Sequence, residues 1–288
     1  MLKYGMIPAG PLLVPLAALA AGAPARAPPA PSPERGLSIR RDLPYGTDPR
    51  QRLDLYAPAA ADRPLPVILF LYGGGWDDGG KADYLFAAEG LARGGFLVAV
   101  ADYRIYPAVT FPAFVEDAAL AIAWVKREIA ALGGDPDRLV LMGHSAGAYN
   151  AALVALDPRY LAAHGLAPSD LAAVIGLAGP YAFNPLEYDS TRAIFDVGRP
   201  VDELRPVTFA GAGAPPMLLL HGLDDTTVQP RNTEQLAGAL DAAGAEVEAK
   251  LYPGLAHIGI VLALARGFRG KAPVLEDVLE FARRVTAP

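Results

Sequence analysis

The chain contains no cysteine in 288 residues, which excludes disulfides, thiolate nucleophiles, sulfur-ligated metals and lipidation through an N-terminal cysteine. Clusters of basic residues are missing too, and the net charge is −6, so nucleic acid is not an expected partner. A good membrane span is lacking: the apolar stretch Pro11–Ala21 is too short and is broken by prolines, so no stable membrane anchor is expected. Serine and histidine are scarce. There are five serines (32, 38, 145, 169, 190) and four histidines (144, 164, 221, 257), so any of them that falls in a motif carries unusual weight.

What is abundant is apolar. Hydrophobic residues make up 52% of the chain, enough for one large domain, or for a domain with a small insertion. Residues 1–27 read as a signal peptide: Lys3 is the only charge before Arg26, an apolar stretch follows, and small-x-small sites stand at Ala23-Pro24-Ala25 and Ala25-Arg26-Ala27. Export to the periplasm or beyond is the expectation, with a cytoplasmic location as the alternative. Residues 28–44 read as a Pro-rich linker or N-terminal extension, and 45–288 as the catalytic domain.

Strand and helix patterns alternate through that domain. Arg52–Tyr56, Val67–Tyr72, Phe96–Ala101, Leu139–Met142, Ala173–Ala178, Met217–Leu220 and Val247–Tyr252 read as strands. Asp83–Arg93, Phe111–Leu132, Ala148–Leu156, Arg231–Ala243 and Val274–Val285 read as helices. Alternation of this kind predicts an α/β fold with a mostly parallel sheet and helices on both faces. Periodicity is lost over 180–214, which reads as a short insertion over the sheet.

Gly143-His144-Ser145-Ala146-Gly147 joins a predicted strand to a predicted helix. Gly-x-Ser-x-Gly in that context predicts a nucleophile elbow, a sharp strained turn that lifts the serine hydroxyl clear of the sheet. A serine hydroxyl needs a base, and the base needs an acid to orient it. His257, in the loop after the last strand, is the base that position favours, because sites in open α/β sheets form at the carboxyl edge. His144 adjoins the serine and is set down as a pocket residue, His164 as surface, and His221 as a structural residue at a strand end. Asp224 and Asp225 both follow the Met217–Leu220 strand and both qualify as the acid. The turn Tyr72-Gly73-Gly74-Gly75-Trp76 follows another buried strand, where backbone N–H groups can meet a developing oxyanion with no Cβ in the way. The Ala146 N–H, next to the nucleophile, would complete that pocket.

As a set these stretches resemble the esterase and lipase families of the α/β-hydrolase fold that carry an HGGGW-type loop, including hormone-sensitive-lipase-like enzymes and bacterial carboxylesterases. The resemblance runs from about residue 45 to 286. It includes Asp102-Tyr103-Arg104, Gly134-Asp135-Pro136 and His221-Gly222, and it departs in having Tyr72 where the loop ordinarily opens with His. It implies Ser145, Asp225 and His257 as the catalytic triad, since Asp225 stands four residues after His221 and three before Val228. It implies Gly74, Gly75 and Ala146 as the oxyanion hole. The implied activity is hydrolysis of short acyl or small aromatic esters, with no cofactor or metal and a small-molecule ester as substrate. Amide hydrolysis on the same fold is the runner-up, and a non-catalytic binding protein the third reading. Trp76 is a further pocket candidate, and Asp102 and Arg104 are expected to pair with each other.

Overall fold

The computed structural model describes residues 32–34 and 36–288. The expected signal segment, 1–27, lies outside them. Nine strands form one sheet: β1 (Ser32–Glu34), β2 (Leu37–Pro44), β3 (Arg52–Pro58), β4 (Leu65–Leu71), β5 (Leu97–Ala101), β6 (Gly134–His144), β7 (Ala173–Leu177), β8 (Met217–Gly222) and β9 (Val247–Tyr252). Their spatial order is β1-β2-β3-β5-β4-β6-β7-β8-β9. The first three strands pair antiparallel, and every pairing from β5 through β4 to β9 is parallel.

The central strands are buried on both faces because helices cover both. On β4, Val67, Leu69 and Leu71 enter one core, and Ile68 and Phe70 enter the other, as a two-residue period demands. The first core is closed by α2 (Ala113–Glu128), α3 (Ala146–Leu156) and α6 (Arg231–Ala242). The second is closed by α1 (Leu85–Arg93), α7 (His257–Leu262) and α8 (Val274–Val285). All of α3 is buried, so its Ala-rich sequence has no polar face. By contrast α8 buries Val274, Leu275, Val278, Phe281 and Ala282 and turns its charges outward.

Three expectations need correction, and one element is additional. Within the stretch expected as a linker or N-terminal extension, β2 pairs along β3 and buries Leu37, Ile39 and Leu43, so the sheet starts before residue 45. The helix expected over Asp83–Arg93 is a 3-10 turn, Lys81–Tyr84, followed by α1. A short helix, α4 (Pro158–Ala162), was not expected; Asp157 starts it by accepting the Arg159 N–H at 3.1 Å, with Pro158 at its first position. Asp102 and Arg104 do not pair. Arg104 makes a forked contact with Asp117 of α2 (2.7 Å at its shortest), and Asp102 accepts the Lys81 N–H. Successive residues on extended chain point to opposite sides, so positions 102 and 104 reach different neighbours only because the chain leaves β5 there.

The segment 180–214 holds α5 (Asp189–Phe195) and short 3-10 turns. Phe195 anchors it, fully buried and edge-on to Trp76 at 4.8 Å and to Tyr149 at 5.6 Å.

Candidate active site

Ser145 sits between β6 and α3 with φ +53° and ψ −121°, a conformation that is costly for any residue bearing a side chain. Its N–H is held by Leu177 O at 2.8 Å, and its carbonyl accepts the first helical bond, from Tyr149. The flanking glycines are required by space. A Cβ at 143 would lie 2.3 Å from Gly147 O, and one at 147 would lie 2.1 Å from Leu71 O.

The turn aims the Ser145 hydroxyl at His257, the first residue of α7 and not part of an open loop. Ser145 Oγ lies 2.8 Å from His257 Nε2, and His257 Nδ1 lies 2.7 Å from Asp225 Oδ2. With the carboxylate accepting at Nδ1, Nε2 is left to accept the serine proton. Asp225 is buried and anchored: its Oδ1 accepts the N–H groups of Thr227 and Val228, each at 2.9 Å. Burial alone would raise its pKa, but hydrogen bonds from His221, His257 and Val228 N–H outweigh burial and hold the carboxyl far below its usual range. Asp224, the other qualifying acid, is exposed; its N–H donates to Leu255 O, and its carboxylate has no partner among the described residues. The choice between the two carboxylates is therefore decided by direction.

His221 is more than a strand end. Its Nε2 lies 2.8 Å from Val228 O, which can only accept, so Nε2 carries the proton and also faces Asp225 Oδ2 at 3.2 Å. Nδ1 meets Thr233 Oγ1 at 2.8 Å. His221 thus braces the acid at Oδ2, the same oxygen that His257 engages. His164 is exposed and does not line the cleft that holds Ser145 and His257.

The glycine loop leans on the elbow so closely that a Cβ at Gly73 would lie 2.9 Å from Ser145 Cβ. Gly74 has φ +143°, and its carbonyl accepts the N–H groups of both Asp77 and Asp78, which folds the loop back on itself. Among the described residues no acceptor takes the N–H of Gly74, Gly75 or Ala146. All three residues line one cleft with Ser145, and unengaged donors are what an oxyanion hole requires.

Tyr72 shows how the loop is ordered without histidine. Its ring stacks on Tyr103 at 4.5 Å, its hydroxyl meets an Arg50 guanidinium nitrogen at 2.5 Å, and Tyr103 Oη donates back to Tyr72 O at 2.8 Å. Arg50 also donates to Gly79 O and Tyr103 O, so one guanidinium ties both ends of the loop. Sequence reasoning missed Arg50 and Tyr84, and it quoted Tyr103 only within Asp102-Tyr103-Arg104, with no role. None stands in a recognisable spacing to the elbow, and only the unusual Tyr at 72 hinted that a different support was needed.

His144 is buried, with Nδ1 2.8 Å from Tyr84 Oη and Nε2 3.2 Å from His257 O. Burial, helped by the nearby His257, lowers its pKa to about 3, so the ring is neutral. Trp76 is almost fully buried, donates to Asn150 Oδ1 at 3.0 Å and lies parallel to Phe183 at 6.1 Å. A cleft of about 590 Å³ opens above Ser145, walled by Gly74, Trp76, Phe183, Tyr188, Thr227 and Ile258. Among the described residues no group of three or more His, Cys, Asp or Glu could hold a metal ion, and no helix is long and apolar enough to cross a membrane.

Fold and site define an α/β-hydrolase of the esterase and lipase type. The chain belongs to the BD-FAE family, whose model matches residues 53–240. Among curated proteins, the isoprenylcysteine alpha-carbonyl methylesterase ICME of Arabidopsis thaliana is 34% identical over 263 residues, covering 84% of this chain and 61% of its own length. Esterase LipQ of Mycobacterium tuberculosis is 29% identical over 282 residues, covering 89% of this chain and 66% of its own length. The chain thus spans less than two thirds of these relatives. Esterase 2 of Thermogutta terrifontis, solved with propionate bound and after phosphoramylation by tabun, is 28% identical with a TM-score of 0.72, covering 88% of this chain and 97% of that one. A carbohydrate esterase from gut microbiota, at 19% identity and TM-score 0.75, shares the fold, over 90% of this chain and all of its own.

Proposed function

We propose that the chain hydrolyses carboxylic esters through Ser145, His257 and Asp225. One observation carries the reading: hydrogen bonds of 2.8 and 2.7 Å run unbroken from the serine hydroxyl through both ring nitrogens of His257 to a buried carboxylate. His257 Nε2 takes the Ser145 proton as Oγ attacks the ester carbonyl. The N–H groups of Gly74, Gly75 and Ala146 receive the oxyanion, and each such donor contributes roughly 3–4 kcal/mol to lowering the barrier. Protonated His257 then passes its proton to the leaving alcohol. Water, deprotonated by the same ring, releases the acid and restores Ser145. Asp225 stabilises the imidazolium in both steps.

Short acyl or small aromatic esters suit a cleft of this volume with Trp76 and Phe183 as walls. A relative named as a methylesterase and another solved with propionate support small groups on the two sides of the ester. The test is a chain-length series of nitrophenyl acyl esters run beside the matching anilides, with fluorophosphonate labelling of wild type and Ser145→Ala. The expected result is ester turnover strongest at short chains and labelling that vanishes in the variant. No turnover of any ester, or labelling that survives the substitution, overturns the reading. Export is part of the proposal: the Lys3, apolar and small-x-small pattern of residues 1–27 supports a cleaved signal. Mass measurement of the protein purified from its native cells tests it, and an intact N-terminus in the cytoplasm would refute it.

A further inference from the structure

The cleft above Ser145 does not end at its aromatic wall. A second hollow of about 310 Å³ adjoins it, and Phe183, Tyr188, Arg231 and Asn232 line both. The two differ in chemistry. The hollow adds Arg205, Glu187 and Gln235, and little of its surface is apolar.

Arg231 is the decisive group. It is exposed at the start of α6, and it makes no hydrogen bond or ion pair among the described residues. Its mount is nonetheless rigid. The neighbouring Asn232 is buried, accepts the Ala182 N–H at 3.0 Å and donates to Gln229 O at 3.0 Å, which fastens the head of α6 to the base of the 180–214 segment. Arg205 is held from the same side, its Nε on Ala182 O at 3.1 Å.

Two cations, Arg205 and Arg231, line the hollow against one carboxylate, Glu187, whose partner is a neutral amide and leaves its charge in place. Asp202 lies 3.7 Å from the Arg205 guanidinium, and Glu187 accepts from Asn184 Nδ2 at 3.0 Å. Asp78 lines the main cleft, but it belongs to the 73–79 loop, and no residue of that loop lines the hollow. The cleft is therefore polarised, with a carboxylate at the glycine-loop end and an uncommitted guanidinium at the other. A planar guanidinium with all its donors open is matched by a carboxylate, which it can grip through two parallel hydrogen bonds.

We propose that this hollow is an anion subsite, and that the preferred substrates are esters carrying a second, ionised carboxylate that seats on Arg231. The proposal rests on the hydrolytic reading above and narrows its substrate class. Asp78 repels the same carboxylate, so the two ends of the cleft together orient the substrate.

The experiment compares matched esters. On the acyl side, 4-nitrophenyl hemisuccinate is set against 4-nitrophenyl valerate; on the alcohol side, the acetyl ester of 4-hydroxybenzoate is set against that of 4-cresol. For at least one pair the anionic member should have the higher kcat/KM, and added salt should erode that advantage. In Arg231→Gln the anionic member should lose about tenfold more than its neutral twin, chiefly through KM, and Arg231→Glu should reverse the preference. Equal losses for both members, or no preference in the wild type, overturns the subsite. Binding is read separately by calorimetry of methyl hemisuccinate on Ser145→Ala, with and without Arg231→Gln. Arg231-dependent binding without turnover of any ester by the wild type would sink the hydrolytic reading and leave the subsite standing. Turnover without Arg231-dependent discrimination or binding would do the reverse.

Discussion

Tyr84 Oη lies 2.8 Å from His144 Nδ1, and the same oxygen receives the Gly73 N–H at 3.0 Å. The direction of this chain is set by its ends. His144 Nε2 faces the His257 carbonyl, which can only accept, so Nε2 carries the proton and Nδ1 must accept from Tyr84. Burial pushes the Tyr84 phenol up to about 12, so it keeps its proton. The glycine loop, the elbow and the start of α7 are thus joined by one relay of donors.

Tyr84→Phe removes that relay while keeping the ring. Gly73 N–H loses its acceptor and His144 loses its donor. We expect kcat on a short ester to fall about tenfold, with KM nearly unchanged, because the loop is loosened at the oxyanion donors and not at the cleft walls. A KM change as large as the kcat change in steady-state kinetics would place Tyr84 in substrate binding instead.

Asp225→Asn keeps Oδ1 for the Thr227 and Val228 N–H groups, so the turn should survive. The amide no longer holds His257 in the tautomer that accepts the serine proton. Turnover should drop by roughly 10³–10⁴-fold while the thermal midpoint moves little. Asp224→Asn, on the exposed neighbour, should leave turnover close to wild type, and the paired assay checks both.

Gly74→Ala meets a hard limit. The new Cβ would sit 2.1 Å from Asp78 O at a φ of +143°. The loop must open to admit it, which displaces the Gly74 and Gly75 N–H groups. A loss of at least about 100-fold in kcat is expected, the usual cost of one oxyanion donor, and circular dichroism should report an intact fold.

The neutral state of His144 links stability to pH. The folded ring binds a proton only near pH 3, whereas an unfolded imidazole binds one near 6.5. Between those values the unfolded chain holds the extra proton. The contribution is therefore complete above about 6.5 and is lost as pH falls towards 3, at up to about 1.4 kcal/mol per pH unit. Asp225, with its depressed pKa, adds acid lability only below the ordinary carboxylate range. Urea unfolding of wild type and His144→Gln from pH 7 to 4.5 isolates the histidine: the variant should show the shallower slope.

Asp117 is buried and receives both Arg104 and the Gln51 side chain, at 2.7 Å each. Asp117→Ala strands those donors and should cost about 3 kcal/mol, read as a lower urea midpoint.

Much of this site was legible in the chain. Two glycines around Ser145, three after Leu71 and a carboxylate four residues beyond His221 are constraints of steric space and spacing, and such constraints are written in order along a sequence. The parallel core was legible for the same reason, since Val67–Leu71 must be apolar at every position to be buried on both faces. The roles of Arg50, Tyr84 and Tyr103 were not legible. Arg50 and Tyr103 donate to carbonyls of the glycine loop across 29 and 31 residues, and Tyr84 accepts the Gly73 N–H across 11, and a backbone partner leaves no mark in the sequence.

Local order along the chain was thus enough to assign the core strands, the elbow, the candidate base and a pair of candidate acids, because each depends on what its immediate neighbours allow. Which aspartate faces His257, which partner Arg104 chooses, and how a tyrosine can stand where the loop ordinarily opens with histidine depended on the assembled sheet. Those outcomes turn on the direction of side chains brought together from distant segments, and direction exists only once the strands have taken their places.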